Sequence, residues 1–314
     1  MADIRAHRAL TLLALLTLVC SLAACSGSGA RGRPATTAGS APAARAATTA
    51  AAPTTTTPPS SRLSLTALEY QYEAGGPVNV AAGEVTITLR NGGTEIHHGQ
   101  LLRLHDGVTD DDVDSAASDD PSGAPLLALG DEVGGPGMVS PDGTAQSTQR
   151  LAPGSYLMFC LVRGPSGEAH VIDGMLAQFD VTAQHAARSS TPRPTAGLRL
   201  TDSGFELPSP FPRHSVLRVT NQGTQPHEVT FLRLPHGRTE SAVRPYLRAL
   251  RTSSFLAPPL PFTAAGGVAA MSPGETAVVP VSLQPGDYLA ICLVRNSKGE
   301  PHALHGMLAS FTVR

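Results

Sequence analysis

Two short segments of the chain place the same three chemical groups in the same order. Residues 156–175, YLMFCLVRGPSGEAHVIDGM, carry Cys160, His170 and Met175; residues 288–307, YLAICLVRNSKGEPHALHGM, carry Cys292, His302 and Met307. Thiolate and thioether are soft donors, so a fold that gathers them with imidazole offers a site for a soft cation. Each residue alone has a plainer reading. A cysteine in a strand is a small hydrophobe, a Gly-Met before a strand is core packing, and a histidine near a loop is solvated or hydrogen-bonded. What favours shared chemistry is recurrence: the spacing C-x9-H-x4-M stands in both copies although the residues between have diverged. A disulfide between Cys160 and Cys292 is the other use for two thiols, and would need their Cα atoms within about 7 Å. Each cysteine sits at the equivalent point of its own segment, which argues against that bridge.

The elements that must position these groups are also repeated. NGGTEIHHGQLLRL begins at Asn91 and NQGTQPHEVTFLRL at Asn221, an offset of 130, while the cysteines are 132 apart (292 − 160). One unit is therefore used twice, over residues 63–183 and 197–314, with a Pro-containing linker at 184–196. VTITLRN and VLRVTN alternate apolar and polar residues, as half-buried strands do. Around Cys160, period two puts Tyr156 and Met158 on its face of a strand and Leu157, Phe159 and Leu161 on the other, so that strand is buried on both sides. The expected fold is all-β: two tandem β-sandwiches. Each carries a short helical insert, acidic at HDGVTDDDVDSAASDD (105–120) and basic at HGRTESAVRPYLRALR (236–251). Opposite charge suggests that the inserts face one another. The acidic run lacks the spacing of an EF-hand and reads as a solvated helix start at Thr109.

With early histidines at His97 and His227, then PGSYLMFC or PGDYLAIC, then His and Gly-Met, each unit resembles the cupredoxins, the Greek-key sandwich family that binds blue, type 1 copper. The resemblance implies a ligand set of His97, Cys160, His170 and Met175 in the first unit, and of His227, Cys292, His302 and Met307 in the second. It implies up to two copper ions, serving one-electron transfer or copper handling with a redox or copper-exchange protein partner. A His2Cys plane with a weak axial Met accommodates both copper oxidation states. Two positions depart from the pattern. The Cys-to-His spacing is long, which a hairpin over VRGPSGEA and VRNSKGEP could absorb. The residue after the first histidine, often an Asn that braces the cysteine loop, is His98 or Glu228. The alternative reading is a metal-free sandwich pair acting as a binding module of the cell envelope.

The rest of the chain gives an address. Residues 1–25 read as an export signal ending in the lipobox-like LAAC, which implies lipidation of Cys25; residues 26–62, rich in Ala, Thr and Pro, read as a disordered tether. The expected location is extracytoplasmic, anchored to a bacterial cell membrane. A formal net charge of −2 gives no electrostatic footprint for nucleic acid. None of the eleven histidines forms a His-X-His pair, none directly precedes a candidate cysteine, and no hydrolase elbow or P-loop is present. On these grounds the chain is expected not to be an enzyme.

Overall fold

The computed structural model describes residues 60–76, 78–185, 191–252 and 262–314. The signal, Cys25 and nearly all of the tether lie outside the described residues, as does part of the linker. In the first half the strands are β1 (Arg62–Leu68), β2 (Gln71–Ala74), β3 (Val80–Asn91), β4 (Gln100–Leu104), β5 (Gly130–Gly134), β6 (Thr144–Leu151), β7 (Gly154–Phe159) and β8 (Leu176–His185), with helix α1 (Asp110–Ser118) after β4. In the second half they are β9 (Ala196–Thr201), β10 (Gly204–Glu206), β11 (His214–Asn221), β12 (His227–Arg233), β13 (Thr263–Met271), β14 (Thr276–Ser282), β15 (Gly286–Ile291) and β16 (Leu308–Val313), with α2 (Arg244–Thr252) after β12. The fold is all-β, as expected, and each half is a two-sheet sandwich with one helical insert.

One sheet of each half runs β2-β1-β3-β6 or β10-β9-β11-β14; the other contains β8-β7-β4-β5 or β16-β15-β12-β13. β1 is parallel to β3, and β9 to β11, in otherwise antiparallel layers. β3 serves both sheets of the first half: Val80 and Ala81 pair with β8, and Gly83–Arg90 pair with β6. The corresponding stretch before β11 contains Pro210 and Pro212, which lack the donor a ladder needs, and β11 starts only at His214.

The strand before each cysteine is sealed on both faces. Tyr156, Met158 and Cys160 belong to one apolar cluster with Leu65, Ile87 and Leu89, while Leu157 and Phe159 belong to another with Val113 and Leu126. β15 repeats this, with Tyr288, Ala290 and Cys292 on one side and Leu289 and Ile291 on the other. A fully buried side chain of this size contributes about 1.5–3 kcal/mol, so both cysteine strands are held firmly. α1 starts with the expected cap, Asp112 N–H donating to Thr109 Oγ1 at 3.2 Å. The helices sit in separate clusters, α1 against Leu157 and Phe159 and α2 against Leu289 and Ile291. The basic insert also satisfies charge locally, Arg244 pairing with Glu240 at 2.6 Å.

The halves meet through backbone hydrogen bonds that obey a pseudo-two-fold. Ser140 N–H donates to Ala264 O at 3.1 Å, and Ser272 N–H to Glu132 O at 2.7 Å; with the 132-residue offset these are one contact seen from both sides. Gly137 N–H to Gly267 O and Ala269 N–H to Gly135 O are a second such pair. Bridges Val133↔Met271 and Val139↔Ala265 are a third, flanking Pro136↔Val268, which is its own mate. In the other sheet β6 and β14 pair antiparallel at Gln149↔Ala277 and Thr148↔Val278. Both sheets thus run from one half into the other.

Candidate metal centres

The early histidines are placed by a buried asparagine. At the end of β3, Asn91 Nδ2 donates to Glu95 O (2.7 Å) and Val139 O (2.9 Å), while its Oδ1 accepts from Gly93 N–H (2.9 Å). Asn221 repeats all three contacts with Gln225 O, Met271 O and Gly223 N–H. A carboxamide so satisfied fixes a tight loop that delivers His97 or His227 to the site. The glycine in that loop is required by space: a Cβ on Gly93 would stand 2.9 Å from His97 Nε2, and one on Gly223 2.6 Å from His227 Nε2.

The second histidine returns on the expected hairpin. Gly164 N–H donates to Glu168 O, His170 N–H to Val162 O and Val171 N–H to Cys160 O, so the nine intervening residues double back upon themselves. Met175 follows closely, its N–H donating to His170 O and its carbonyl accepting from Cys160 N–H. The same ladder recurs at Asn296–Glu300, His302–Val294, Ala303–Cys292 and Cys292–Met307.

These elements bring His97, Cys160 and His170 together, and separately His227, Cys292 and His302, with the candidate ligand atoms of each set within 4.8 Å of one another. The two Nδ1 atoms are 3.1 Å apart in the first half and 3.0 Å in the second. Cysteine Sγ lies 3.5 Å from His170 Nδ1 and 3.7 Å from His302 Nδ1. Met175 and Met307 are fully buried in the same apolar clusters as the cysteines. Both cysteines are free and buried, so the disulfide alternative is not realised.

Around this core lies a set of carboxylates that the order of residues in the chain does not announce. His170 Nε2 meets Glu95 Oε2 at 2.9 Å, and His227 Nε2 meets Asp202 Oδ1 at 2.9 Å. A carboxylate accepts, so these rings carry their proton on Nε2 and turn an Nδ1 lone pair to the pocket. Glu69 stands 3.6 Å from His97 Nε2. Glu69 and Asp202 are equivalents, each accepting from the following threonine loop at Thr94 or Thr224. Tyr70 packs edge-on to His170 and donates to Glu95 at 3.2 Å; Ser203 and Gln225 hold the corresponding second-half positions. The signal available in sequence was faint: an acidic residue after the first strand of each unit.

The position after the strand histidine also has a function. Glu228 Oε1 accepts Leu293 N–H at 2.8 Å and its own N–H faces Cys292 Sγ at 3.5 Å, so Glu228 supplies the brace for the cysteine loop. His98 instead turns Nδ1 to Cys160 Sγ at 3.3 Å.

Electrostatics keep the site neutral without a cation. Burial, with the neighbouring His170, lowers His97 to about 4; burial lowers His170 to about 4 and His98 to about 3. Burial pushes the Cys160 thiol up to about 12 and Cys292 well above its usual range. Neutral imidazoles with free lone pairs are ready ligands at neutral pH, and a buried thiolate requires a positive charge beside it. Burial also lifts Glu132 and Glu228 to about 7.

A pH dependence of opposite signs follows for the metal-free chain. Unfolding frees the histidines to bind protons below about 6.5, so their contribution to stability is lost as pH falls toward 4. The raised Glu132 and Glu228 do the reverse: they retain protons that the unfolded chain releases above about 4.5, and that contribution is lost as pH rises through 7. Glu228→Gln should therefore steepen the rise of melting temperature between pH 4.5 and 7, read by thermal melts of metal-free protein.

No protein-family profile and no curated protein sequence matches the chain. Solved structures do resemble it. Auracyanin B is 21% identical over 40% of this chain and 92% of its own, with a TM-score of 0.27. A multicopper oxidase is 12% identical over 81% of this chain and 88% of its own, TM-score 0.24. The copper nitrite reductase from Nitrosomonas europaea is 12% identical over 81% and 93%, TM-score 0.23. The expectation that the chain is not an enzyme is corrected by these neighbours, because oxidases and nitrite reductases are among them. It rested on missing sequence strings, whereas a site is assembled from residues that only the fold brings together, as the outer carboxylates here illustrate.

Proposed function

We propose that this chain is an extracytoplasmic copper-binding protein that carries single electrons, with two type 1 centres in tandem cupredoxin-like domains at 63–183 and 197–314. The observation that carries the reading is the convergence of two imidazole Nδ1 atoms and one thiol within 4.8 Å, buried, in both halves. His97, Cys160 and His170, with Met175 as a further soft donor, would hold one ion; His227, Cys292 and His302, with Met307, would hold the other. Copper bound there supplies a one-electron couple. The chain's own residues hold the donors in place before metal arrives: Asn91 and Asn221 fix the early histidine, and the hairpins fix the late one. Glu95 and Asp202 orient rings and raise their basicity. A pre-set cage reorganises little when charge changes, which suits rapid electron exchange with a protein partner. The lipobox at Cys25 and the tether support anchorage at a bacterial cell membrane.

Purified chain loaded with Cu(II) should absorb strongly in the visible and contain up to two coppers by elemental analysis. Absence of both rejects the centres. Glu95→Gln should weaken copper binding in the first half by about 10–100-fold, measured by chelator competition, with the second half unchanged. Cys25→Ser should move the protein from the membrane fraction to the soluble one; retention at the membrane would refute the lipid anchor.

A further inference from the structure

The two centres share their donor set and differ in what surrounds it, most directly in what touches the sulfur. In the first half His98 Nδ1 lies 3.3 Å from Cys160 Sγ in a fully buried site. A metal-bound thiolate has no proton and only accepts, so the proton of that contact belongs to Nδ1. Tyr72 O–H donates to His98 O at 2.5 Å and pins this backbone beneath the sulfur. By strand register its equivalent is Phe205, which has no hydroxyl: Ala67↔Tyr72 corresponds to Leu200↔Phe205. In the second half the side chain after the strand histidine is a carboxyl, turned to Leu293 N–H, and Cys292 meets, besides the candidate ligand His302, the backbone N–H groups of Glu228, at 3.5 Å, and of Val294. A donor on the sulfur withdraws charge from the thiolate and favours the reduced ion. One feature opposes it: Glu95 on His170 favours the oxidised ion. Glu95, however, has a side chain 22% exposed and acts across an imidazole ring, whereas His98 acts directly on a fully buried sulfur.

The halves are also joined near both sites. Ile96, next to His97, and Val162, two residues after Cys160, pack in one apolar cluster with Leu293, next to Cys292, and Ala303, next to His302. One apolar cluster thus flanks both donor sets.

Resting on the copper reading above, we propose that His98 makes the first-half centre the higher-potential one, so that an electron entering at the second half settles on the first, across the apolar cluster that holds Ile96, Val162, Leu293 and Ala303. With copper held by both donor sets, the transfer would oxidise the ion at His227, Cys292 and His302 by one electron and reduce the ion at His97, Cys160 and His170 by one, with no bond or proton exchanged. The electron is supplied by any one-electron donor.

The test is spectroelectrochemical titration of the copper-loaded full chain, with Cys292→Ser and Cys160→Ser used to isolate each centre. The first-half centre should titrate at least tenfold more favourably for the electron, a separation of 59 mV or more for one electron. His98→Leu should lower that potential and move the sulfur-to-copper absorption to lower energy; His98→Gln, which keeps an N–H donor, should restore part of both. Should His98→Leu not fold, Glu228→His provides the converse, raising the second-half potential. Two coppers with equal potentials, a first-half centre of lower potential, or a His98→Leu centre unchanged in both readouts would overturn the role of His98 while leaving the copper reading intact. A chain that binds no copper removes the reading itself.

Discussion

Cys160→Ser should lose one of two bound coppers and the visible absorption of the first half, and Cys292→Ser should do the same for the second. The double variant should be colourless and bind no more than a trace. Serine is only slightly smaller and keeps the hydrogen-bonding backbone, in which Cys160 N–H still donates to Met175 O and Cys292 N–H to Met307 O. It removes the one donor whose charge offsets the cation and whose softness selects it. The cost to folding should be modest, on the order of 1 kcal/mol, because no cavity forms and the strands stay sealed. Copper per chain by elemental analysis and a denaturant melt separate the two effects. A single variant that kept two coppers would remove the thiolate from the proposed ligand set.

The largest expected loss of stability comes from two glycines at the junction. Gly135 and Gly267 are equivalents, with φ of 113° and 130°, a region that favours glycine. A Cβ on Gly135 would lie 2.0 Å from Gly99 O, and one on Gly267 1.9 Å from Val229 O. Those atoms are backbone, so no side chain can swing away. Each glycine also accepts one of the bonds between halves: Gly267 O from Gly137 N–H, and Gly135 O from Ala269 N–H. Gly135→Ala or Gly267→Ala should each destabilise by about 3–5 kcal/mol, visible as a large drop in denaturation midpoint. Gly274→Ala is a control for backbone strain alone. It too has positive φ, 83°, but open space around its Cβ, and should cost about 1 kcal/mol. Equal effects at Gly267 and Gly274 would show that the clash at the junction is not what matters.

Much of the core of each site was legible in sequence because local rules fix it. Period-two alternation sealed the cysteine strand, the hairpin over nine residues follows from its turn residues, and repetition at a fixed offset exposed His97 and His227. What sequence hid is non-local. Glu69 and Asp202 reach their histidines from the turn after β1 or β9, which only the parallel pairing with β3 or β11 brings near. Asn91 was visible as a repeated letter, but its three hydrogen bonds, one of them to Val139 48 residues away, were not. Glu228 looked like a missing brace because an amide was expected, yet a carboxyl oxygen accepts Leu293 N–H equally well. The expectation that the chain is not an enzyme rested on strings of adjacent residues, and what corrects it is the presence of oxidases and nitrite reductases among the structures it resembles.

The union of the halves has a consequence for how far they can differ. The hydrogen bonds that obey the pseudo-two-fold are made by main-chain atoms, which every residue but proline supplies alike. The polar side chains around each sulfur therefore carry little of the joint, which apolar packing of Ile96 and Val162 with Leu293 and Ala303 completes. Tyrosine can stand opposite serine, as at Tyr70 and Ser203, or an imidazole opposite a carboxyl, as at His98 and Glu228, without loosening the joint. A duplicated scaffold glued by its backbone is free to give its twin pockets separate temperaments.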